Sequence, residues 1–269
     1  MKQVPAGTKV DIDPETGAMK RLSGETRTNP YDLFALEAAL QLREKVGGSV
    51  TVLTMGPPQA EEMMRDAYTM GADDAVILSD RKFAGADVLA TSYALSQGIT
   101  AIGDIDLIIC GKQTTDGDTA QVGPAIAEHL GIPHAAWVSE IVDADSESIQ
   151  VKQDLASVSQ TSKIPYPCLI TVDKDMCVPR LPSYLLQKQS KDRPVKIMTF
   201  EDMADQNLSK YGLVGSPTAV EKMFAPPEVE KQVYFDGDAK EKTKQLFDVL
   251  VNKLSLIHIS EPTRRTPIS

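Results

Sequence analysis

The sequence predicts an α/β fold: a doubly wound, mostly parallel sheet with helices on both faces, followed by a C-terminal arm. Two observations carry that prediction. Short β-branched runs, SVTVLTMG at 49–56, AVILSD at 75–80, DLIIC at 106–110 and AAWVSEIV at 135–142, alternate with segments whose apolar residues recur every three or four positions. Pro and Gly punctuate the exits between them, as at Gly56-Pro57 and Gly131.

Residues 5–27 are rich in Gly, Pro, Asp and Thr and read as turns with a short hairpin. Asn29-Pro30 then opens a helix whose apolar face is Leu33, Leu36, Ala39, Leu40 and Leu42, ending at Gly47-Gly48. Proline costs nothing at a first helical position, and an Asn before it can cap. After the first β-branched strand, PPQAEEMMRDAYTMGADDA is a helix entered through Pro and stopped at Gly71. Its face of Ala60, Met63, Met64, Ala67 and Met70 suits a packed core better than a methionine-rich binding surface. AVILSD is the next strand, 86–102 a helix, DLIIC a strand, 120–130 a helix and AAWVSEIV a strand. SIQVKQDLASVSQTSK at 148–163 alternates with a period of two, an antiparallel excursion, and PYPCLITVD returns as a strand. From Met176 onward Pro, Lys and Ser dominate. The expected division is an α/β domain at 1–192 and an arm at 193–253 that packs on something else rather than standing as an independent domain.

Both ends depart from this pattern. MKQVPAGTKVDIDPETG has no apolar strand before it, where an α/β domain normally begins with one, so a first strand is expected to be missing. LSLIHISEPTRRTPIS at 254–269 follows the helical pattern AKEKTKQLFDVLVNKL without continuing it. It resembles a translated sequencing adaptor and is set aside as non-native.

Composition narrows the function classes. The 269 residues are 42% hydrophobic and 25% charged, with a formal charge of −10 whose signs are mixed along the chain. That argues against nucleic acid, since phosphate neutralisation needs a basic face. Cys110, Cys168 and Cys177 are odd in number and lack CxxC spacing, which suits a reducing compartment. With no membrane-length apolar run and no signal peptide, a cytoplasmic protein is expected.

In doubly wound sheets ligands collect beyond the carboxyl ends of the strands. Three exits carry unusual chemistry: TMGPPQ, GKQTTDGD and the NPYD turn at Asn29. A helix starting near Thr119–Gln121 would offer free backbone N–H groups to a phosphate or diphosphate. Gly117 and Gly123 would let the backbone approach a ligand or take positive φ. A valine at Gly123 is then expected to block the phosphate and leave the sheet intact. Asp116 and Asp118 would repel a phosphate they faced, so they are expected to cap the helix, favour its dipole or accept from ribose hydroxyls. As a metal pair they lack a third ligand. From the residues alone, a ligand cradle and a capped turn holding nothing stand equally open. Neither GxxxxGK(S/T) nor GxGxxG occurs. His129 is placed near a helix end, His134 in a turn and His258 in the odd tail, so no hydrolytic triad is expected. Catalytic residues and metal ligands are not assigned.

KQVP, NPYDLFALEAAL, TMGPPQAEEMMRDAYTMGADDAVILSD and GKQTTDGDTAQVGPAIAEHLG, continued by PCLITVDKDMCVPRLPS, resemble the beta subunit of the electron transfer flavoproteins over residues 2–253. The resemblance implies an adenine-nucleotide alpha-hydrolase-like fold and a heterodimer with an alpha subunit carrying one FAD. It implies FAD or AMP in this subunit, held by Asn29, Pro30, Tyr31, Asp32 and Met55. The remaining contacts fall to the loop of Gly111, Lys112, Gln113, Thr114, Thr115, Asp116, Gly117, Asp118, Thr119, Ala120, Gln121, Val122 and Gly123. Where members have Asn-Gln-Thr, this chain has Ala120-Gln121-Val122, so backbone N–H groups would carry more of the phosphate contact. DGDTAQVGP and YGLVGSPTAVEKMFAPP at 211–227 look like the fermentative-anaerobe branch. That branch implies hydride uptake from NADH and division of two electrons between an acyl-CoA dehydrogenase and a ferredoxin or flavodoxin. VPRLPSYLL at 178–186 occupies the place of the dehydrogenase-recognition loop, with Pro182, Ser183, Tyr184 and Leu185 as partner-recognition residues. Two other readings remain beside this one: an ATP- or AMP-sensing module without redox chemistry, and a structural subunit with an empty cradle.

Overall fold

The computed structural model describes residues 1–6, 11–12, 19–20, 26–155, 157–220 and 234–253, with backbone alone at 11–12 and 19–20. The suspected adaptor tail at 254–269 and the stretch 221–227 of the branch motif lie outside the described residues. The chain divides into two compact units, Met1–Phe224 and Ala225–Ser269.

In the first unit, β1 (Gln3–Pro5), β2 (Asp11–Ile12), β3 (Met19–Lys20) and β4 (Thr26–Thr28) form two short antiparallel pairs, β1 with β4 and β2 with β3. The second pair is the hairpin expected from the turn-rich opening. Next come α1 (Pro30–Val46), β5 (Thr51–Met55), α2 (Glu61–Met70), β6 (Asp74–Leu78), α3 (Val88–Ile102), β7 (Leu107–Gly111) and α4 (Val122–Leu130). β8 (His134–Ala144), β9 (Ser148–Leu155) and β10 (Val158–Pro165) form the antiparallel excursion, and β11 (Cys168–Val172) returns parallel to both β7 and β8. α5 (Tyr184–Gln189) and β12 (Lys196–Met198) follow. In the second unit, α6 (Ala239–Asn252) starts on a capping box in which Asp238 accepts from the backbone N–H of Glu241 and Glu241 reaches back to Asp238.

The parallel strands are hydrogen-bonded as two sheets, ordered β12-β6-β5 and β10-β9-β8-β11-β7, so β5 and β7 are both edge strands. This explains why every residue of β7 is only half-buried. At the edge of β5, the Met1 ammonium donates to the Leu53 carbonyl at 2.7 Å.

Each sheet has its own core. Leu36, Leu40, Val52, Met63, Met64, Ala67 and Ile77 close one, which places the methionine face of α2 in packing. Val138, Ile149, Val151, Ile170 and Val172 close another under the larger sheet. Residues 194–211, which composition assigns to the arm, pack within the first unit. β12 pairs in parallel with β6, and Met198, Phe200, Met203 and Tyr211 are buried beside Leu78 and Phe83. A three-residue strand is too short to show a period in sequence, which is why that stretch reads as unstructured.

The cysteines are free, and burial pushes all three thiols up to about 11. At neutral pH they are protonated and poor nucleophiles.

Candidate functional site

The chain leaves β7 at Gly111 and must turn immediately past the start of α1. A Cβ on Gly111 would lie 2.5 Å from Asp32 Oδ1 and 2.7 Å from the Tyr31 carbonyl carbon, so only glycine permits this approach. Two of the three predicted exits, NPYD and GKQTTDGD, are thereby in direct contact. At the third exit Met55, at the end of β5, is half-buried against the cluster that includes Val76, Leu78 and Phe83.

Asn29 joins the two exits. It precedes α1, but its side chain makes no cap bond. Instead its Nδ2 donates to the Gln113 carbonyl at 2.9 Å, and its Oδ1 accepts from the Thr115 N–H at 3.2 Å. The residue is fully buried, so both ends of its amide are spent on holding the loop. Asn29→Ala is expected to cost about 1–3 kcal/mol in a urea titration, because it leaves the part-buried Gln113 carbonyl and Thr115 N–H unpaired around an emptied buried site. Amide exchange at Thr115 is expected to speed up with it; unchanged exchange there would refute the staple.

The loop then rises through exposed Thr115–Thr119 residues to α4, which starts at Val122 rather than Ala120. Asp118 and Ala120 take φ of +52° and +54°, whereas Gly117 has no positive φ. The αL region costs a non-glycine residue roughly 1–2 kcal/mol, a local strain that the expected reading had assigned to glycine. Neither aspartate caps the helix. Asp116 is tied to Lys2 Nζ at 2.8 Å and Asp118 accepts from Gln113 Nε2. Burial of Asp116 opposes its charge, but the bond from Lys2 prevails and its carboxyl stays below the usual range. Gln121, at the cap position, makes no side-chain cap bond, and Pro124 has no N–H. The N–H groups of Val122 and Gly123 therefore face the loop without a protein acceptor among the described residues. Gly123 itself is packed: a Cβ there would fall well inside van der Waals distance of Thr171 Cγ2 on β11. Its lack of a side chain serves helix-to-sheet packing, so a valine there is expected to cost stability at the α4–β11 contact as well as to block a ligand.

Two features of this region escaped sequence reading. Lys2 bridges the start of α1 to the loop, its backbone N–H donating to Asp32 Oδ2 at 2.6 Å while its ammonium holds Asp116. Lys112 turns away from the loop, bonding Asp173 Oδ2 at 2.9 Å and lying 4.7 Å from the centroid of the Trp137 ring. Trp137 takes φ of +61° at a register shift between β8 and its neighbours. Nothing in the sequence pattern marks that bulge.

The donors fit an adenine nucleotide's phosphate in kind. They are unspent N–H groups at a helix N-terminus, on a loop fixed at its base by Asn29. The nearby lysine ammoniums are already spent on carboxylates, so backbone would carry the contact, as the Ala120-Gln121-Val122 departure predicts.

The segment 178–186 is held from behind. Arg180 donates to both carboxylate oxygens of Glu37, at 2.8 Å and 3.0 Å, and to Glu44 Oε1 at 2.7 Å. Glu37 sits on α1 with a side chain only 5% exposed. Beyond this anchor Ser183 caps α5, accepting from the Leu186 N–H at 3.4 Å. Tyr184 and Leu185 are left 70% and 63% exposed, with Pro182 also at the surface. Among the described residues no helix is long and apolar enough to cross a membrane.

These features agree with comparison to known proteins. The profile described as electron transfer flavoprotein domain matches residues 16–204. Protein FixA of Bradyrhizobium diazoefficiens is 42% identical over 256 residues, covering 93% of this chain and 89% of its own length. The electron transfer flavoprotein subunit beta of Thermoanaerobacterium thermosaccharolyticum is also 42% identical, over 93% of this chain and 95% of its own. The caffeyl-CoA reductase-Etf complex subunit CarD of Acetobacterium woodii is 42% identical, over 96% and 97%. The chain belongs to the electron transfer flavoprotein family, as a relative of its beta subunits.

Proposed function

We propose that this chain is the beta half of a heterodimeric electron carrier, binding FAD in the cradle between Asn29 and Gly123, with a second FAD held by an alpha subunit. The observation that supports it is the helix start at Val122–Gly123, whose free N–H groups stand over a loop clamped by a buried asparagine. When bound, the flavin would supply the one- and two-electron chemistry. This chain's own part is to hold the diphosphate on backbone donors and to present the rigid loop edge to the partner. AMP in the same cradle is the alternative, in which case the subunit would be structural and the alpha flavin would carry the electrons alone.

Tyr184 and Leu185, exposed on a capped and salt-bridged segment, are proposed to anchor an acyl-CoA dehydrogenase. Two relatives support an acyl-CoA connection by name: CarD, and the acryloyl-CoA reductase electron transfer subunit gamma of Anaerotignum propionicum, 40% identical over 260 residues. On the likeness of DGDTAQVGP to the fermentative-anaerobe branch, NADH is the proposed donor, with a ferredoxin or flavodoxin as a second acceptor, and the cytoplasm is the proposed compartment.

The test is co-expression with the alpha subunit, followed by a visible spectrum and chromatography of the released nucleotides. Two FAD per heterodimer, with NADH bleaching one, supports the reading. One FAD plus AMP selects the simple carrier, and absence of any nucleotide overturns it. Tyr184→Ala with Leu185→Ala is expected to weaken dehydrogenase binding at least tenfold in surface plasmon resonance while leaving nucleotide content unchanged.

A further inference from the structure

A polar cavity of about 290 Å³ opens between the C-terminal end of α2 and α5 and shares no lining residue with the cradle. Three arginines from distant parts of the sequence line it, Arg43, Arg180 and Arg193, together with Tyr68, Ser190 and one carboxylate, Asp73, which is paired with Arg43. In a chain of net charge −10 such a convergence runs against the average.

The three guanidiniums are not equally occupied. Arg180 is saturated, its Nε, Nη1 and Nη2 all donating to the carboxylates of Glu37 and Glu44. Arg43 uses only Nη1, which donates to the Gly71 carbonyl and to Asp73 Oδ2, both at 2.7 Å. Arg193 meets no carboxylate among the described residues. Its Nη1 donates to the Ala72 and Asp73 carbonyls at 3.2 Å and 3.4 Å, and its guanidinium carbon lies 5.7 Å from the Tyr68 ring centroid. Arg43 and Arg193 thus each keep Nε and Nη2 unspent beside the same cavity. A planar fork with two free N–H groups is matched by the two oxygens of a carboxylate or phosphate. The volume lies at the small end of ligand pockets and suits a compact anion rather than a dinucleotide.

We propose that this cavity is a binding site for a small oxyanion, a carboxylate or phosphate group held between the free edges of Arg43 and Arg193. Its wall includes Leu186 of α5, so occupancy would stiffen the segment that presents Tyr184 and Leu185.

The test is a titration of the full-length chain with inorganic phosphate and, separately, malonate, at constant ionic strength set with sodium chloride. The readout is the arginine Nε–H nuclear magnetic resonance signals, assigned through Arg43→Gln and Arg193→Gln. A saturable shift of both signals with a Kd of roughly 1 mM supports the site. Binding by both anions assigns it to oxyanions in general, and preference for one identifies the source. Arg193→Gln is expected to weaken binding at least tenfold and Arg193→Lys less, because lysine keeps the charge and loses the fork. Filling the cradle with FAD, a dinucleotide too large for this cavity, is expected to leave the Arg193 shift unchanged, which separates this site from the nucleotide reading. Shifts that grow linearly without saturation, or that chloride reproduces, would overturn the proposal.

Discussion

Gly123→Val is expected to lower stability by about 2–3 kcal/mol and to empty the cradle in the same step. The branched side chain must enter space held by Thr171 Cγ2, with Cys110 Cβ and Leu169 Cδ2 each 3.6 Å from the first added atom. Overpacking of this kind typically costs about 1–3 kcal/mol, and a β-branched residue in the first turn is at the upper end. Because Thr171 lies on a fully buried strand, relief comes from lifting the start of α4 rather than from shifting the sheet. That movement displaces the Val122 and Gly123 N–H groups from the loop they face. Gly123→Ala, a single methyl, separates the two effects: about 1 kcal/mol of stability lost, with nucleotide content reduced but not abolished. Urea midpoints and nucleotide chromatography on the same preparations check both. A valine variant that melts normally yet lacks nucleotide would mean that the glycine serves the ligand alone.

Much of this architecture can be read from the chain, for a plain physical reason. α2 and β5 bury one stripe or one face, and burial stamps its period on the sequence, whereas α1 serves two cores and buries the consecutive residues Ala35, Leu36, Glu37 and Ala38. The methionines of α2 are a clear case, since all of them sit in the core that their spacing predicts. The two loops that meet are each marked in the sequence by their glycine, Pro and Asp content, but the glycine that lets them touch is Gly111, not Gly117 or Gly123, to which the sequence reading gives that freedom. What escapes reading is any partnership between residues far apart in sequence and unmarked by period. Asn29 looks like a helix cap because caps are local, whereas its bonds reach 84 and 86 residues away. Lys2 and Asp116, or Lys112 and Trp137, are likewise joined only by the fold. The split between the two sheets is invisible for the same reason, since strand periods do not say which strands are neighbours.

The Arg180–Glu37 pair is where such a hidden partnership carries the largest expected energy. Arg180→Gln is expected to cost about 2–4 kcal/mol at pH 7, because Glu37 would remain on α1 almost fully enclosed and without its counter-charge. In the intact protein burial opposes the charge on Glu37, but the hydrogen bonds from Arg180 outweigh it and hold the carboxyl below its ordinary value of 4.5. A depressed folded value means that the pair's contribution is fully present above 4.5 and is lost as pH falls through the folded value. In the variant the backbone N–H of residue 180 and the Gln41 amide still donate to Glu37, but the guanidinium's hydrogen bonds and charge are gone, so the carboxyl rises relative to the intact protein. The stability deficit relative to the parent is therefore greatest near neutrality and shrinks as the pH is lowered into the carboxylate range around 4.5. Urea unfolding of both proteins at several pH values between these limits checks this, with Glu37→Gln and the double variant closing the cycle. A deficit that stays constant with pH would place the loss in packing of the arginine stem rather than in the buried charge. The same substitution also frees the base of the segment that ends in Tyr184 and Leu185. Dehydrogenase binding is expected to weaken with it even though Arg180 lies before the exposed anchors, and Arg180→Lys is expected to restore only part of it, since one ammonium cannot span Glu37 and Glu44 as the guanidinium does.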